Sequence, residues 1–332
     1  MIRSLAIALC LTAAIPVAGP VAAGVPEAVQ DHILPRVETF AIQARALAVN
    51  AAADCTAQAV RPSFDNAWDA WLGISHLGFG PLETDGRALA IAFWPDKRGM
   101  VASTVAGLLR DADPVVDDPA GFAEVSVAGR GFFALERLLY AEDGSYDRDS
   151  YDCRLVQAIA QDLSRMAGEI NADWADYAQR LLTAGEAGNT AYLSDKEAAQ
   201  RLYTALMAGL EFDADQRLGR PLGSFDRPRP ERAEARRAGR SLRNLEQSLA
   251  ALNDLADALS DAPTPVTDAA FAQARAQAQD LQDPVFAMVD DPSGRLKVEI
   301  VQQSVRAAQT AVSAEIGTQL GVGSGFNSAD GD

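Results

Sequence analysis

Histidine is nearly absent from this chain of 332 residues: His32 and His76 are the only two. A three-histidine zinc centre within one chain is therefore impossible. HExxH, CxxC, GxSxG and a glycine-rich phosphate loop followed by lysine are also missing, which removes the usual metallopeptidase, redox, serine-hydrolase and nucleotide-binding signatures. After the first 23 residues, no run approaches the roughly 18 uninterrupted apolar residues of a membrane span. Nor does any segment keep the alternating apolar pattern of a strand, so α/β folds are disfavoured.

The first 23 residues read as a leader. Arg3 precedes an apolar run from Leu5 to Ala14, then come Pro16 and the small residues Val21-Ala22-Ala23. Cleavage near Ala23 is expected, giving an exported, periplasmic chain. Leu9 before Cys10 fits a lipoprotein site poorly. Cleavage would remove Cys10, and the pair left, Cys55 and Cys153, is expected to form a disulfide in an oxidising compartment, with two free thiols as the alternative. The formal charge of −17 becomes −18 without Arg3. That surface repels nucleic acid and anionic lipid and is compatible with a cationic ligand.

What is present is helical periodicity. Val25–Val60 carries Ile33, Val37, Phe40, Ala44 and Leu47 at helical spacing, with Arg61-Pro62 as its expected end. A second helix is expected from Ser63, placing Trp68, Leu72, His76 and Phe79 on one face, until Gly78, Gly80 and Pro81 stop it. Further helices are expected at 99–110, 131–141, 149–184, 194–218, 231–260, 267–281 and 293–318, and residues 80–98 as a loop-like connection. The expected fold is all-α: two four-helix-type bundles, residues 24–205 and 206–332, with residues from the N-terminal half available to complete the second.

Three stretches carry chemistry. In HLGFGPLETDG, residues 76–86, Gly80-Pro81 permits a turn that brings Glu83 and Asp85 back toward His76. The plainer reading is a packed histidine beside two solvated acids. In GRGFFALERLLYAED, residues 129–143, Glu136 lies within an apolar stripe, where burial demands a partner: Arg130, Arg137 or a metal. Residues 217–243 hold nine arginines against three acids and no lysine. Read as helix, Arg232, Arg236, Arg240 and Arg243 share one face, suited to bidentate pairing with an anionic ligand or docking on the acidic remainder of the protein.

With these residues in view, the chain resembles the imelysin-like family of exported bacterial proteins. The likeness rests on AWLGISHLGFGPLETDGRALAIAFWPD, GRGFFALERLLY, PLGSFDRPRPERAEARRAGRSLRN and the C-terminal LGVGSGFNSADGD. It implies two bundles with a site between them and an iron-linked periplasmic role. The family's GxHxxE pattern reads here as GFFALE: Gly131 and Glu136 match, but Phe133 stands where histidine belongs, and phenylalanine neither ligates a metal nor moves a proton.

Two arrangements follow. Iron or another divalent cation is held by His76, Glu83, Asp85 and Glu136. Otherwise the pocket has lost its metal and binds a small ligand through Arg130, Arg137, Phe133, Asp226 and Arg227. The expected function is a non-catalytic binding protein linked to iron or ligand uptake. The alternatives are a divergent metallopeptidase-like enzyme, and an interaction module whose arginines dock a periplasmic or membrane-associated partner.

Overall fold

A computed structural model describes residues 24–141 and 146–322. The leader and the Ala23 junction lie outside the described residues, as does most of the C-terminal LGVGSGFNSADGD stretch. Among the described residues there is no named strand, and no helix is long and apolar enough to cross a membrane.

Four helices build the first bundle: α1 (Leu34–Ala53), α2 (Ala57–Leu72), and two that follow the short α3 (Met100–Asp111), namely α4 (Gly131–Leu139) and α5 (Tyr151–Leu182). At 32 residues, α5 is about 48 Å long at 1.5 Å per residue. Ser150 caps it by accepting the Cys153 N–H. Aromatic residues at helical spacing meet at the centre, where Trp68 stacks on Phe132 at 4.9 Å and Phe64 sets its edge against both. Cys55 and Cys153 are disulfide-bonded, with Cα atoms 5.3 Å apart, joining the start of α2 to the start of α5.

The second bundle contains α6 (Asp195–Phe212), α7 (Ser241–Leu259), α8 (Pro265–Leu281) and α9 (Pro292–Ala314). On α7, Leu242, Leu245, Leu249, Leu252, Ala256 and Leu259 recur at alternating steps of three and four and are all buried, which makes a continuous core seam. Ser194 caps α6 through the Glu197 N–H. The boundary expected at residue 205 falls inside α6. That helix packs on α7 and α9.

Several boundaries differ from the sequence reading for local reasons. The first break falls at 54–56, because Asp54 Oδ1 accepts both the N–H and the hydroxyl of Thr56. Pro62 then lies inside α2, and Ser63 turns its hydroxyl to the Val60 carbonyl rather than capping a helix. α2 ends at Leu72, so His76 sits in the turn that follows, not on the Trp68 face. Two segments, Ala28–Ile33 before α1 and Asp213–Leu218 after α6, wind as π-helix. The largest difference concerns residues 231–240. A single 3-10 turn at Pro230–Arg232 gives way to irregular turns, with Ala235 at φ 49° and Gly239 at φ 68°, and α-helix begins only at Ser241.

Candidate functional site

The 231–240 segment crosses from the second bundle to the first as a strap, and charged side chains fix it at several points. Arg240, almost fully buried, bonds Asp65 and Asp69 on α2, and Arg243 also pairs with Asp69. Arg217, on the π-helical segment, donates to Glu234 Oε2 at 2.8 Å, to Asp213 Oδ1 at 2.5 Å and to Ser248 Oγ at 3.0 Å. The four arginines read as one helical face are therefore split. Arg240 and Arg243 are spent on docking, while Arg232 and Arg236 remain exposed.

Between strap and first bundle lies a cavity of about 350 Å³, at the lower end of the range for small-molecule sites. Phe93, Trp94 and Phe133 supply its apolar wall. Arg137, Arg220, Arg232, Arg236 and Arg237 also line it, and none of these five makes an ion pair among the described residues. Arg220 lies over the Trp94 ring, 5.7 Å from its centroid, and its buried Nε has no hydrogen-bond partner. Burial lowers the Arg220 and Arg137 pKa values, and so does repulsion from Arg232 and Arg237 respectively.

Glu136 reaches this cavity from α4 and is 3% exposed. Its Oε1 accepts the Ala238 N–H at 3.0 Å, and the Arg237 N–H lies beside it. Burial raises its pKa above the ordinary carboxylate value, opposed by those N–H groups and by Arg237 and Arg137. The carboxylate thus latches the strap. Gly131 explains how α4 fits so closely: it has φ +66°, and a Cβ there would lie 2.2 Å from the carbonyl oxygens of both Ala90 and Ile91.

The other expected site residues are dispersed. His76 is buried against His32, with Nε2 to Nε2 at 3.1 Å, so one ring donates to the other. Burial lowers both: His32 to about 2, with repulsion by His76 and Arg36 adding, and His76 to about 3, with Arg36 and Arg217 adding. Both rings are neutral, and neither lines the cavity. Glu83 is exposed and faces Arg201 at 3.9 Å, and Asp85 is exposed at φ 53°. The quartet His76, Glu83, Asp85 and Glu136 is not assembled. Among the described residues no group of three or more histidine, cysteine, aspartate or glutamate side chains could hold a metal.

Of the expected ligand-binding residues, Phe133 and Arg137 line the cavity. Phe133 stands edge-on to Trp68 at 5.0 Å, filling the position of the motif histidine with apolar contact. Arg130 instead forms a buried fork with Asp162, at 2.7 and 3.2 Å. Asp226 and Arg227 lie exposed in the turn closed by the Ser224–Arg227 bridge and do not reach the cavity. Phe93, Trp94, Arg220 and Arg237 were not among the expected residues, although the density of arginine in PERAEARRAGR pointed to the strap.

A metal held directly by side chains does not fit this donor set. The one buried carboxylate that lines the cavity accepts a backbone N–H, and guanidinium groups stand around it.

Comparison with known proteins agrees with the architecture. The family model described as Imelysin matches residues 33–312. Iron-regulated protein A of Synechococcus elongatus is 23% identical over 280 residues, covering 78% of this chain and 74% of that protein. An imelysin-like protein from Psychrobacter arcticum superposes with a TM-score of 0.72 at 21% identity, over 91% of this chain and 96% of the other. A putative iron-regulated protein A precursor from Parabacteroides distasonis gives 0.58 at 12% identity, over 87% and 92%. These two likenesses concern the fold.

Proposed function

The chain belongs to the imelysin family, and from that premise we propose that it is an exported, non-catalytic binding protein with an iron-related role, holding a small anionic ligand in the cavity beneath the strap. The carrying observation is the set of five arginines that line one cavity without ion-pair partners. A protein this acidic has carboxylates to spare for neutralising surface arginines. Leaving five unpaired around one cavity favours a negative guest.

Binding rather than catalysis is supported by the residue at 133 and by the state of Glu136. Phenylalanine supplies no general base, and the Glu136 carboxylate is engaged by the strap. The relatives named iron-regulated protein A support the iron-related role, and the word precursor in one title supports export together with the leader-like first 23 residues.

Titration calorimetry at low ionic strength, with citrate, phosphate and sulfate as probes, tests the reading. Saturable binding to at least one anion is expected, weakened by added salt and lost in the Arg236→Gln, Arg237→Gln double variant. Absence of binding to any of them, together with peptide hydrolysis abolished by Glu136→Gln, would favour the enzyme reading instead.

A further inference from the structure

The cavity differs from a generic basic patch in how its positive charge is held. The five guanidinium groups come from three separate places: Arg137 from α4, Arg220 from the turn of helix before the strap, and Arg232, Arg236 and Arg237 from the strap itself. Three carboxylates also line it, Glu136, Asp96 and Glu231, and each already has partners. Asp96 accepts the N–H groups of Arg98, Met100 and Val101 at the start of α3, Glu231 faces Arg229 at 3.5 Å, and Glu136 accepts from the strap. The lining therefore carries a formal excess of two positive charges, or three when Glu136 is protonated.

This pattern discriminates among ligands. A bare divalent or trivalent cation meets net positive charge and no free carboxylate. Phosphate sites commonly rely on backbone N–H groups at a helix N-terminus, but at this cavity the start of α3 is already taken by Asp96. What remains is guanidinium spread around a cavity with an apolar wall of Phe93, Trp94 and Phe133. A guanidinium fork meets phosphate as readily as carboxylate, so the apolar wall decides: it suits separate carboxylates joined by a short carbon skeleton, whose methylene groups face the rings.

We infer that the cavity takes a compact polycarboxylate carrying two or three negative charges, and that a metal ion enters the site only within a chelate that stays anionic and keeps a carboxylate free for the guanidinium groups. This rests on the anion-binding reading above and specifies its ligand class. It also gives Glu136 a role other than ligation: it is a positioning residue that fixes the strap and so aims Arg236 and Arg237.

Equilibrium dialysis and calorimetry on the full mature chain test it, with citrate and tricarballylate as polycarboxylates, phosphate and pyrophosphate as competitors, and Mn²⁺ and Ga³⁺ with and without citrate. Both polycarboxylates should bind, and Arg236→Gln with Arg237→Gln should weaken them on the order of 100-fold. Because both arginines are exposed, the double variant should keep the far-ultraviolet circular dichroism of the wild type. Arg220→Gln should weaken binding as an independent check. Ga³⁺ should remain with the protein only when citrate is present.

Binding of phosphate or pyrophosphate without the polycarboxylates would overturn the ligand class and leave the anion reading standing. Failure of every anion would overturn both. Retention of Mn²⁺ without citrate, lost on Glu136→Gln, would overturn the exclusion of bare cations. Failure of citrate to carry Ga³⁺ would overturn the metal half of the inference.

Discussion

Replacing Asp213 with asparagine isolates the buried triad that pins the strap from below. Arg217 is shared between the carboxylates of Asp213 and Glu234, all three nearly inaccessible, so full ionisation leaves one excess negative charge in the interior. Burial pushes the Asp213 carboxyl up from 3.8 to about 6, against the pull of Arg217, and Oδ2 has no partner. A folded pKa above the unfolded one means that the fold favours the protonated acid. This contribution is complete below pH 3.8 and is lost as pH rises through about 6. Two pKa units correspond to about 3 kcal/mol. Asparagine is neutral throughout, and its amide oxygen can still accept from Arg217. The histidine pair slopes the other way in the same pH range, so the informative quantity is the difference between variant and wild type. In urea unfolding at closely spaced pH values, that difference should grow in the variant's favour by roughly 1.4 kcal/mol per pH unit between pH 4 and 6, then level off. A variant less stable by the same amount at every pH would refute the argument, because Asp213 would then be ionised throughout.

Four other expectations follow from named contacts. Glu136→Gln keeps an acceptor for the Ala238 N–H, whereas Glu136→Ala should cost about 1–3 kcal/mol in urea unfolding and loosen the strap against proteolysis. Gly131→Ala forces a Cβ into two backbone carbonyls and should cost more than about 4 kcal/mol, read as loss of soluble folded protein. Cys55→Ser with Cys153→Ser opens a loop spanning 98 residues and should lower stability by about 4–5 kcal/mol in the chain-entropy account, seen as a fall in the urea midpoint. Because His32 and His76 titrate at about 2 and 3 when folded, against 6.5 unfolded, the unfolded chain binds more protons between these values. Wild-type stability should therefore fall as pH drops below about 6.5, and His32→Gln with His76→Gln should flatten that acid limb.

The bundles were legible because each long helix states its inward face several times over. Phe40, Trp68 and the α7 leucines are all buried where 3.6-residue spacing puts them, and Ser194 marks a real helix start. The disulfide was also legible, since loss of the expected leader would leave one possible pair. The site was harder because its geometry depends on residues at which periodicity stops. PERAEARRAGR has the composition of an amphipathic helix, and helix-face arithmetic placed Arg232, Arg236, Arg240 and Arg243 in one row. In the folded chain, Glu136 draws the Ala238 N–H to itself, while Arg217 draws Glu234 and Asp65 and Asp69 draw Arg240. These tertiary contacts outweigh the helical propensity of a short arginine-rich segment, whose helix would gain only a few tenths of a kcal/mol per residue. His76 shows the converse. Its apolar neighbours indicated burial correctly, but its partner, His32, lies 44 residues away on a π-helical turn that sequence spacing does not reveal. A buried charged latch can thus turn a helical-looking run into a strap, and the same latch leaves the arginines beside it unpaired and facing the cavity.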